Sequence, residues 1–319
     1  MIEKYIEAIG GSEKEGKLNQ LDILTGYSGD KIIGTLQRLS LLLSPNECYV
    51  EVGVFQGMTL LNVAKGLENK KGVTAFGIDN FAQFDKQKKN QKLIEQRMDA
   101  LKISNAVLIN QDYEDALIQL KKYIGDKKVG VYFIDGPHDY RSQLMCLELI
   151  KPHLSDDAII LIDDSNYMHV RQANADFLIS HPEFKLLFQA YTPVHPLNIT
   201  EEARGLFTKG WWDGINIIVK DRKNILPTMF PPTDRDRTIF TMEHAVHSSR
   251  HAHLAPMAMD LISTIRPFNP FKFIFSFSYA IYKALVNKNK YEFRHMNTNS
   301  KLLTTAEFNK PIQSKINAN

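Results

Sequence analysis

Short apolar segments alternate with longer amphipathic ones between Glu47 and about Lys220. The short segments are rich in β-branched residues and end in a polar residue, which is typical of strands covered on both faces of a sheet. Between them, apolar residues recur at helical spacing, which predicts crossover helices and a parallel, doubly wound α/β sheet. Seven strands are predicted, at 48–54, 73–79, 106–110, 129–135, 158–163, 184–191 and 214–221.

The rest of the chain divides around this sheet. Helices are expected at 58–67, 84–101, 113–124, 140–154 and 170–182, with a loop between Thr192 and Asp213. A further helical stretch at 31–44 ends at a Ser-Pro pair and is expected to cover the sheet edge or the mouth of a ligand site. Beyond Asp221 no strand pattern continues. We therefore predict three parts: a helical N-terminal cap (1–46), the sheet domain (47–220) and a C-terminal extension (221–319).

The composition is that of a globular protein, with 44% hydrophobic and 24% charged residues. The net charge of +3 conceals an asymmetry, because residues 1–220 carry 25 basic and 29 acidic side chains, and residues 221–319 carry 14 and 7. The charge of the sheet domain argues against a nucleic-acid-binding surface there. An anionic partner is expected to meet the C-terminal extension instead.

Cysteine usage and the N-terminal segment bear on the compartment. Cys48 and Cys146 lie in apolar segments and are expected to be buried and unpaired, as in a reducing environment. The N-terminus lacks the apolar core of a secretory signal. A cytoplasmic protein is expected.

Two glycines follow the first predicted strand. The segment from Glu51 to Thr59 places Gly53 and Gly57 before a helix, where glycine permits a tight turn and a close approach to a ligand. The dinucleotide fingerprint G-x-G-x-x-G is absent. An acidic residue at Glu51 suits a ligand with an ammonium group better than a pyrophosphate.

The next two strand ends extend this pattern. Asp79 stands 22 residues after Gly57, where a carboxylate accepts hydrogen bonds from the hydroxyls of a ribose. Asp112 and Tyr113 follow the third strand, where they are expected to meet an adenine. A ribose, an adenine and an amino-acid ammonium group together describe S-adenosylmethionine. The alternatives are an ordinary strand-to-helix turn for the glycines and a helix N-cap for Asp79.

With these motifs in this order, residues 47–220 resemble the class I S-adenosylmethionine-dependent methyltransferases. The resemblance implies a Rossmann-like, seven-stranded methyltransferase sheet. It also implies that Glu51, Gly53, Gly57, Thr59, Asp79, Asp112 and Tyr113 bind the cofactor.

Three carboxylates follow the fourth and fifth predicted strands, at Asp135, Asp163 and Asp164. The ends of neighbouring parallel strands lie close together, and carboxylates held that close repel one another unless a cation lies between them. Oxygen ligands of this kind favour Mg²⁺, with Mn²⁺ and Ca²⁺ as alternatives.

The 28-residue spacing from Asp135 to Asp163 and the segment Ile-Asp-Gly-Pro-His resemble the metal-dependent O-methyltransferase branch, in particular the sugar O-methyltransferases of macrolide and cephamycin-type biosynthesis. This resemblance implies that Asp135, Asp163 and Asp164 bind the metal. It also implies that His138 is the general base. The alternatives are a helix-capping role for His138, a plain turn at 163–164, and Asp139 as the base, although a helix cap suits Asp139 better.

Three signals outside these motifs remain. Trp211, Trp212 and Asp213 resemble a substrate-side loop of the same family, and a tryptophan in the core is the alternative. His244, His247, His251 and His253 cluster, which makes zinc conceivable and ordinary packing the default. The apolar segment 267–291 is too short to span a bilayer and is a candidate contact with a membrane surface, another protein or a second subunit.

The sequence as a whole predicts an enzyme that methylates a hydroxyl of a sugar or another small polyol-like acceptor, with S-adenosylmethionine and Mg²⁺ as cofactors. One alternative is a metal-independent methyltransferase. Another is a non-catalytic scaffold that binds S-adenosylmethionine.

Overall fold

A mixed seven-stranded sheet forms the centre of the chain in the computed structural model. The structure describes residues 1–19, 21–82, 85, 89–193, 200–233, 261–262 and 270–286. The strands are β1 (Glu47–Val52), β2 (Ala75–Ile78), β3 (Ala106–Ile109), β4 (Lys128–Ile134), β5 (Leu154–Ile162), β6 (Phe184–Ala190) and β7 (Ile215–Lys220). All seven predicted strands are therefore confirmed. Most residues of the five inner strands are buried, whereas the edge strands β3 and β6 are partly exposed.

Helices precede, connect and follow these strands. They are α1 (Ile2–Glu15), α2 (Asp30–Ser40), α3 (Met58–Gly66), α4 (Asn90–Leu101), α5 (Tyr113–Ile118), α6 (Lys121–Ile124), α7 (Tyr140–Ile150), α8 (Met168–Ser180), α9 (Glu201–Lys209) and α10 (Pro270–Val286). A 3₁₀ turn, Lys151–His153, links α7 to β5.

The strand order is β3-β2-β1-β4-β5-β7-β6, with β7 antiparallel to both of its neighbours and the other pairs parallel. β6 and β7 are consecutive in the chain and adjacent in the sheet, where they pair in antiparallel register. The predicted doubly wound α/β sheet is confirmed, with one antiparallel strand that the alternation of segments did not predict.

Two hydrophobic cores cover the two faces of this sheet. One core contains residues of the first four helices, among them Ile9, Leu36 and Ile94. The other contains residues of α5 to α8, among them Leu117, Leu147 and Phe177. Cys48 and Cys146 are buried without a disulfide, as expected.

Several helix predictions differ in detail from the structure. The expected loop between Thr192 and Asp213 contains α9, and the expected helix 113–124 is divided into α5 and α6. The helix expected from position 84 begins only at Asn90. The residues of 84–89 and of α9 are mostly polar in sequence, and hydrophobic periodicity carries little information in such segments.

The chain divides into two compact units, Met1–Asp234 and Arg235–Asn319. The first unit extends past the predicted boundary at 220. The backbone N–H of Asp221 donates to Glu183 O at 2.7 Å, and Arg171 Nε donates to Pro232 O at 2.8 Å.

The described part of the second unit consists mainly of α10. Many of its apolar side chains are exposed, including Phe271 and Phe275. No helix in the described ranges is both long and apolar enough to cross a membrane. The histidine cluster at His244, His247, His251 and His253 lies outside the described residues.

Candidate active site

Four predicted site residues form a row at one edge of the sheet. Gly53, Asp79, Asp135 and Asp163 each follow directly on a strand. Each donates its backbone N–H to the last residue of a neighbouring strand, with N···O distances between 2.8 and 3.1 Å. The expectation that these strand ends meet at one edge is therefore correct.

The glycine loop turns sharply beside Asp135. Gly53 has a φ of +86°, and a Cβ at this position would lie 1.8 Å from the carbonyl oxygen of Asp135. Gly57 has a φ of +79° and precedes the first turn of α3. Glycine is therefore required at position 53 both by the backbone conformation and by the close approach of β4.

Asp79 stabilises this loop. Its Oδ2 accepts the backbone N–H groups of Val54 and Phe55, at 3.0 and 2.9 Å, and its Oδ1 accepts that of Phe81 at 2.7 Å. These bonds connect the end of β2 to the loop after β1 rather than capping a helix. The half-buried carboxylate lies where the ribose ligand was predicted, and ribose binding remains a prediction.

Glu51 is fully buried beneath the glycine loop. Its two carboxylate oxygens accept the hydroxyl groups of Tyr49 and Thr59, at 2.5 and 2.6 Å. Burial raises the pKa of Glu51 to about 7, although both hydroxyl bonds favour its charged form. The predicted contacts of Glu51 and Thr59 with the cofactor are untested. Their observed partners are each other and Tyr49.

Asp112 and Tyr113 lie after β3, as predicted. Asp112 is the N-cap of α5, accepting the backbone N–H of Glu114 at 2.9 Å. The Tyr113 hydroxyl donates to Glu114 at 3.1 Å, and its ring packs against the second core. Their predicted role at an adenine remains open.

A compact group of possible metal ligands lies at the ends of β4 and β5. One ligand atom from each of Asp135, His138 and Asp164 falls within 4.8 Å of the others. His138 Nε2 is 2.5 Å from Asp164 Oδ2. Asp164 has a φ of +52°, a strained value for a residue with a side chain, and such strain is concentrated at functional sites.

Acidic side chains dominate the electrostatics of this group within the described part of the chain. Burial, and then the charges of Asp163 and Asp164, raise the pKa of Asp135 well above its ordinary value. Burial alone would lower the pKa of His138, but the hydrogen bond and charge of Asp164 outweigh burial and raise it. A site with this charge distribution favours a bound cation.

Asp163 belongs to the same edge but not to this three-residue group. Its Oδ1 accepts the backbone N–H of Asp164 at 2.9 Å, and the side chain is buried. Burial and the charge of Asp164 raise its pKa well above the ordinary value. The predicted ligands Asp135 and Asp164 are thus brought together with His138, the predicted base, while Asp163 lies beside them.

Asn166 connects this edge to the loop before β7, a role that the sequence did not predict. Its Nδ2 donates to Asp213 Oδ1 at 2.9 Å and to Thr192 Oγ1 at 2.6 Å. Its backbone N–H donates to Asp213 O at 3.0 Å. Asn166 directly follows the acidic pair and a serine, and this position is the only sequence signal for its role.

Asp139 caps α7, as expected, through a 3.0 Å bond from the backbone N–H of Ser142. His138 precedes this cap and packs against Tyr167, with the ring centroids 4.8 Å apart. The His138 side chain is 39% exposed, so a ligand has access to it.

The two tryptophans have different environments. Trp211 is buried, stacks near Phe188 at 5.0 Å and donates its indole N–H to Glu13. Trp212 is half-buried, with its ring 6.2 Å from that of Tyr27. Trp211 therefore belongs to the core, as one of the two alternatives predicted. Trp212 packs partly on the same core and contacts Tyr27, and a role at a substrate stays a prediction.

Residues 50–165 match the family model of a methyltransferase domain. The match includes every predicted catalytic, cofactor-binding and metal-binding residue. The predicted resemblance to methyltransferases is therefore confirmed for this part of the chain. No curated protein matches the chain.

Solved structures with a similar fold include an O-methyltransferase from Bacillus cereus in complex with S-adenosylhomocysteine. It has 14% identity and a TM-score of 0.47, and the match covers 69% of this chain and 100% of that one. CalS11, a calicheamicin methyltransferase, has 17% identity, coverages of 51% and 75%, and a TM-score of 0.43. TomG, an O-methyltransferase from Streptomyces achromogenes, has 13% identity, coverages of 68% and 89%, and a TM-score of 0.44. Because each TM-score is below 0.5, none of these structures decides the acceptor or the metal of this chain.

Proposed function

We propose that the chain is an S-adenosylmethionine-dependent O-methyltransferase that acts on a hydroxyl of a small sugar-like or polyol-like acceptor with the help of a divalent cation. The observation that carries this proposal is the group formed by Asp135, His138 and Asp164, whose ligand atoms lie within 4.8 Å of one another. This group stands at the carboxyl ends of the strands, which is where doubly wound sheets bind their ligands.

The proposed binding of S-adenosylmethionine rests on the residues beside this group at the same edge of the sheet. The glycine loop lies directly against the Asp135 backbone at Gly53, and Asp79 presents a half-buried carboxylate at the end of β2. In the proposed complex Asp79 accepts the ribose hydroxyls while its existing backbone bonds hold the loop in place. Asp112 and Tyr113 then lie at the adenine end, and Glu51 lies beneath the methionine end.

The carboxylates at the ends of β4 and β5 suit a hard divalent cation. Asp135 and Asp164 supply carboxylate oxygens and Asp163 supplies a third carboxylate nearby, a donor set that suits Mg²⁺. Burial, and then the charges of neighbouring carboxylates, raise the pKa values of Asp135 and Asp163, and a bound cation would offset both effects. Such a cation, when bound, orients an acceptor hydroxyl and lowers its pKa.

His138 is the proposed base. Its imidazole accepts the proton of the acceptor hydroxyl, and Asp164 stabilises the resulting imidazolium through their close contact. The acceptor oxygen forms a bond to the methyl carbon as the bond from that carbon to sulfur breaks. The products are a methyl ether, S-adenosylhomocysteine and one proton on His138.

A screen of small sugars and catechols for S-adenosylhomocysteine release tests this proposal. The wild-type protein should lose activity in excess EDTA and regain it with Mg²⁺. Asp163→Ala should weaken metal affinity and activity together, with partial recovery at raised Mg²⁺. Full activity in EDTA would indicate the metal-independent alternative, and cofactor binding without turnover of any acceptor would indicate the scaffold.

His138→Ala should retain metal and cofactor binding while the rate falls by roughly 10²–10⁴, because the acceptor loses its base. Asp139→Asn is the matched control, since it alters the neighbouring carboxylate and keeps a residue suited to capping α7. An unchanged rate in His138→Ala, with a loss in Asp139→Asn, would transfer the role of base to Asp139.

A further inference from the structure

Three aromatic rings meet at the edge of the sheet that carries the site. The Tyr27 ring centroid lies 5.7 Å from that of Phe55 and 6.2 Å from that of Trp212. Phe55 belongs to the glycine loop after β1, Trp212 directly precedes the turn into β7, and Tyr27 lies between α1 and α2. We call these three residues the aromatic wall.

The aromatic wall joins two loops that flank the acidic group. Phe55 belongs to the loop of Gly53, which lies directly against the Asp135 carbonyl. Trp212 precedes Asp213, whose Oδ1 accepts Asn166 Nδ2 at 2.9 Å beside the end of β5. In the sheet, β4 and β5 lie between β1 and β7. Tyr27 therefore contacts both loops that flank Asp135 and Asp164.

The backbone holds two of these rings in an unfavourable conformation. Phe55 and Trp212 have φ angles of +48° and +47°, which bulky residues rarely adopt. Asp79 fixes the Phe55 backbone, and the N–H of Gly214 donates to Trp211 O at 2.9 Å beside Trp212. Strain of this kind persists where the surrounding structure imposes it, and it is concentrated at ligand sites.

The segment before Tyr27 is anchored, whereas the Tyr27 ring is exposed. Arg97 donates to Oγ1 of Thr25, two residues before Tyr27, at 3.0 Å, and also donates to Gln56 O at 2.6 Å. The Tyr27 residue is nevertheless 62% exposed, and its hydroxyl makes no hydrogen bond within the described residues. A large aromatic surface is thus held in place without being part of the core.

We infer that the aromatic wall binds the ring of the acceptor and that Tyr27 determines which acceptors are accepted. This inference rests on the proposed function and narrows its substrate class to acceptors with a ring face that can pack on the wall. The hydroxyl groups of the acceptor face the acidic side chains, and one face of the acceptor ring packs on the wall.

Calorimetry on the full chain, saturated with Mg²⁺ and S-adenosylhomocysteine, tests this inference. Catechol and methyl α-D-mannopyranoside are the probes, because both are neutral rings with adjacent hydroxyls. Tyr27→Ala should weaken the binding of the probe that wild type accepts by about tenfold, through the loss of ring packing. Tyr27→Phe keeps the ring and should bind within about threefold of wild type. Ile23→Ala, an exposed position in the same segment, is the matched control and should bind as wild type does.

The S-adenosylhomocysteine affinity of each variant separates this inference from the proposed function. This affinity should be the same in Tyr27→Ala as in wild type. If Tyr27 had only a structural role, its loss would weaken the binding of both the probe and S-adenosylhomocysteine. Unchanged probe binding in Tyr27→Ala would overturn the inference, as would a wild-type protein that binds S-adenosylhomocysteine but neither probe. A wild-type protein that fails to bind S-adenosylhomocysteine would instead overturn the proposed function.

Discussion

At the scale of single residues, the candidate site combines predictable and unpredictable features. Asp79, Asp135 and Asp163 could be predicted because each ends an apolar strand segment, and parallel strand ends must meet at one edge. The direct pairing of His138 with Asp164 could not, because it depends on the left-handed backbone of Asp164. Sequence patterns carry no signal for that conformation in an aspartate.

Glu51 makes stability depend on pH. Its pKa is about 7 in the folded chain against an ordinary 4.5, so the folded chain binds more protons than the unfolded chain between these values. The contribution of Glu51 to the free energy of unfolding should therefore fall by about 3 kcal/mol as pH rises through this interval. Above about pH 7 no further loss is expected.

Urea unfolding at about pH 5 and about pH 8 measures this effect. Glu51→Gln should lose less stability than wild type over this interval, and the exposed Glu7→Gln is the matched control. Identical pH dependence in wild type and Glu51→Gln would contradict the raised pKa.

At the scale of helices and strands, hydrophobic continuity predicted all seven strands but not the direction of β7. The ladder between β5 and β7 pairs Ile159 with Val219 and Ile162 with Asn216, in antiparallel register. An apolar strand has the same composition in either direction. Its direction in the sheet therefore depends on the connection that precedes it, which hydrophobic continuity does not reveal. α9 was missed for a related reason, since it lies in a connection with no continuous apolar face.

The turn from β1 into α3 yields a prediction with a control within the chain. Gly53 and Gly125 both have positive φ, but a Cβ at Gly53 would collide with the Asp135 carbonyl, while one at Gly125 meets nothing within 4 Å. Gly125→Ala should cost about 1 kcal/mol from backbone strain alone. Gly53→Ala should cost more and also displace the start of the loop after β4.

Thermal unfolding and S-adenosylhomocysteine calorimetry distinguish the two variants. Gly125→Ala should bind the cofactor product as wild type does, and Gly53→Ala should bind it weakly. Equal stability and equal binding in both variants would show that the close approach of β1 and β4 is not required.

At the scale of the whole molecule, the chain has two units with different composition. The excess of basic residues beyond position 221 was evident from the sequence, whereas the extension of the first unit to Asp234 was not. Residues 221–233 lack strand or helix periodicity, and they are attached through single contacts such as Lys185 Nζ to Thr228 Oγ1 at 2.8 Å. Contacts of this kind leave no periodic pattern in a sequence.

A chain ending at Asp234 should fold and bind S-adenosylhomocysteine with the affinity of the full protein, because the first unit contains both hydrophobic cores. A chain ending at Lys220 should be less stable, since it loses the contacts of Thr228 and Pro232. Thermal unfolding of the two shortened chains measures the difference. Failure of the longer one to fold would show that the second unit is part of the core.

The central claim is that the sheet edge defined by Gly53, Asp79 and Asp135 binds S-adenosylmethionine, and calorimetry with S-adenosylhomocysteine tests it most directly. The account predicts binding by the wild-type chain and by the exposed control Asp115→Ala. Asp79→Ala should bind more weakly by about 2–4 kcal/mol, because it loses charge-assisted hydrogen bonds to the ribose. An absence of binding in wild type, or equally tight binding in Asp79→Ala, would contradict the account.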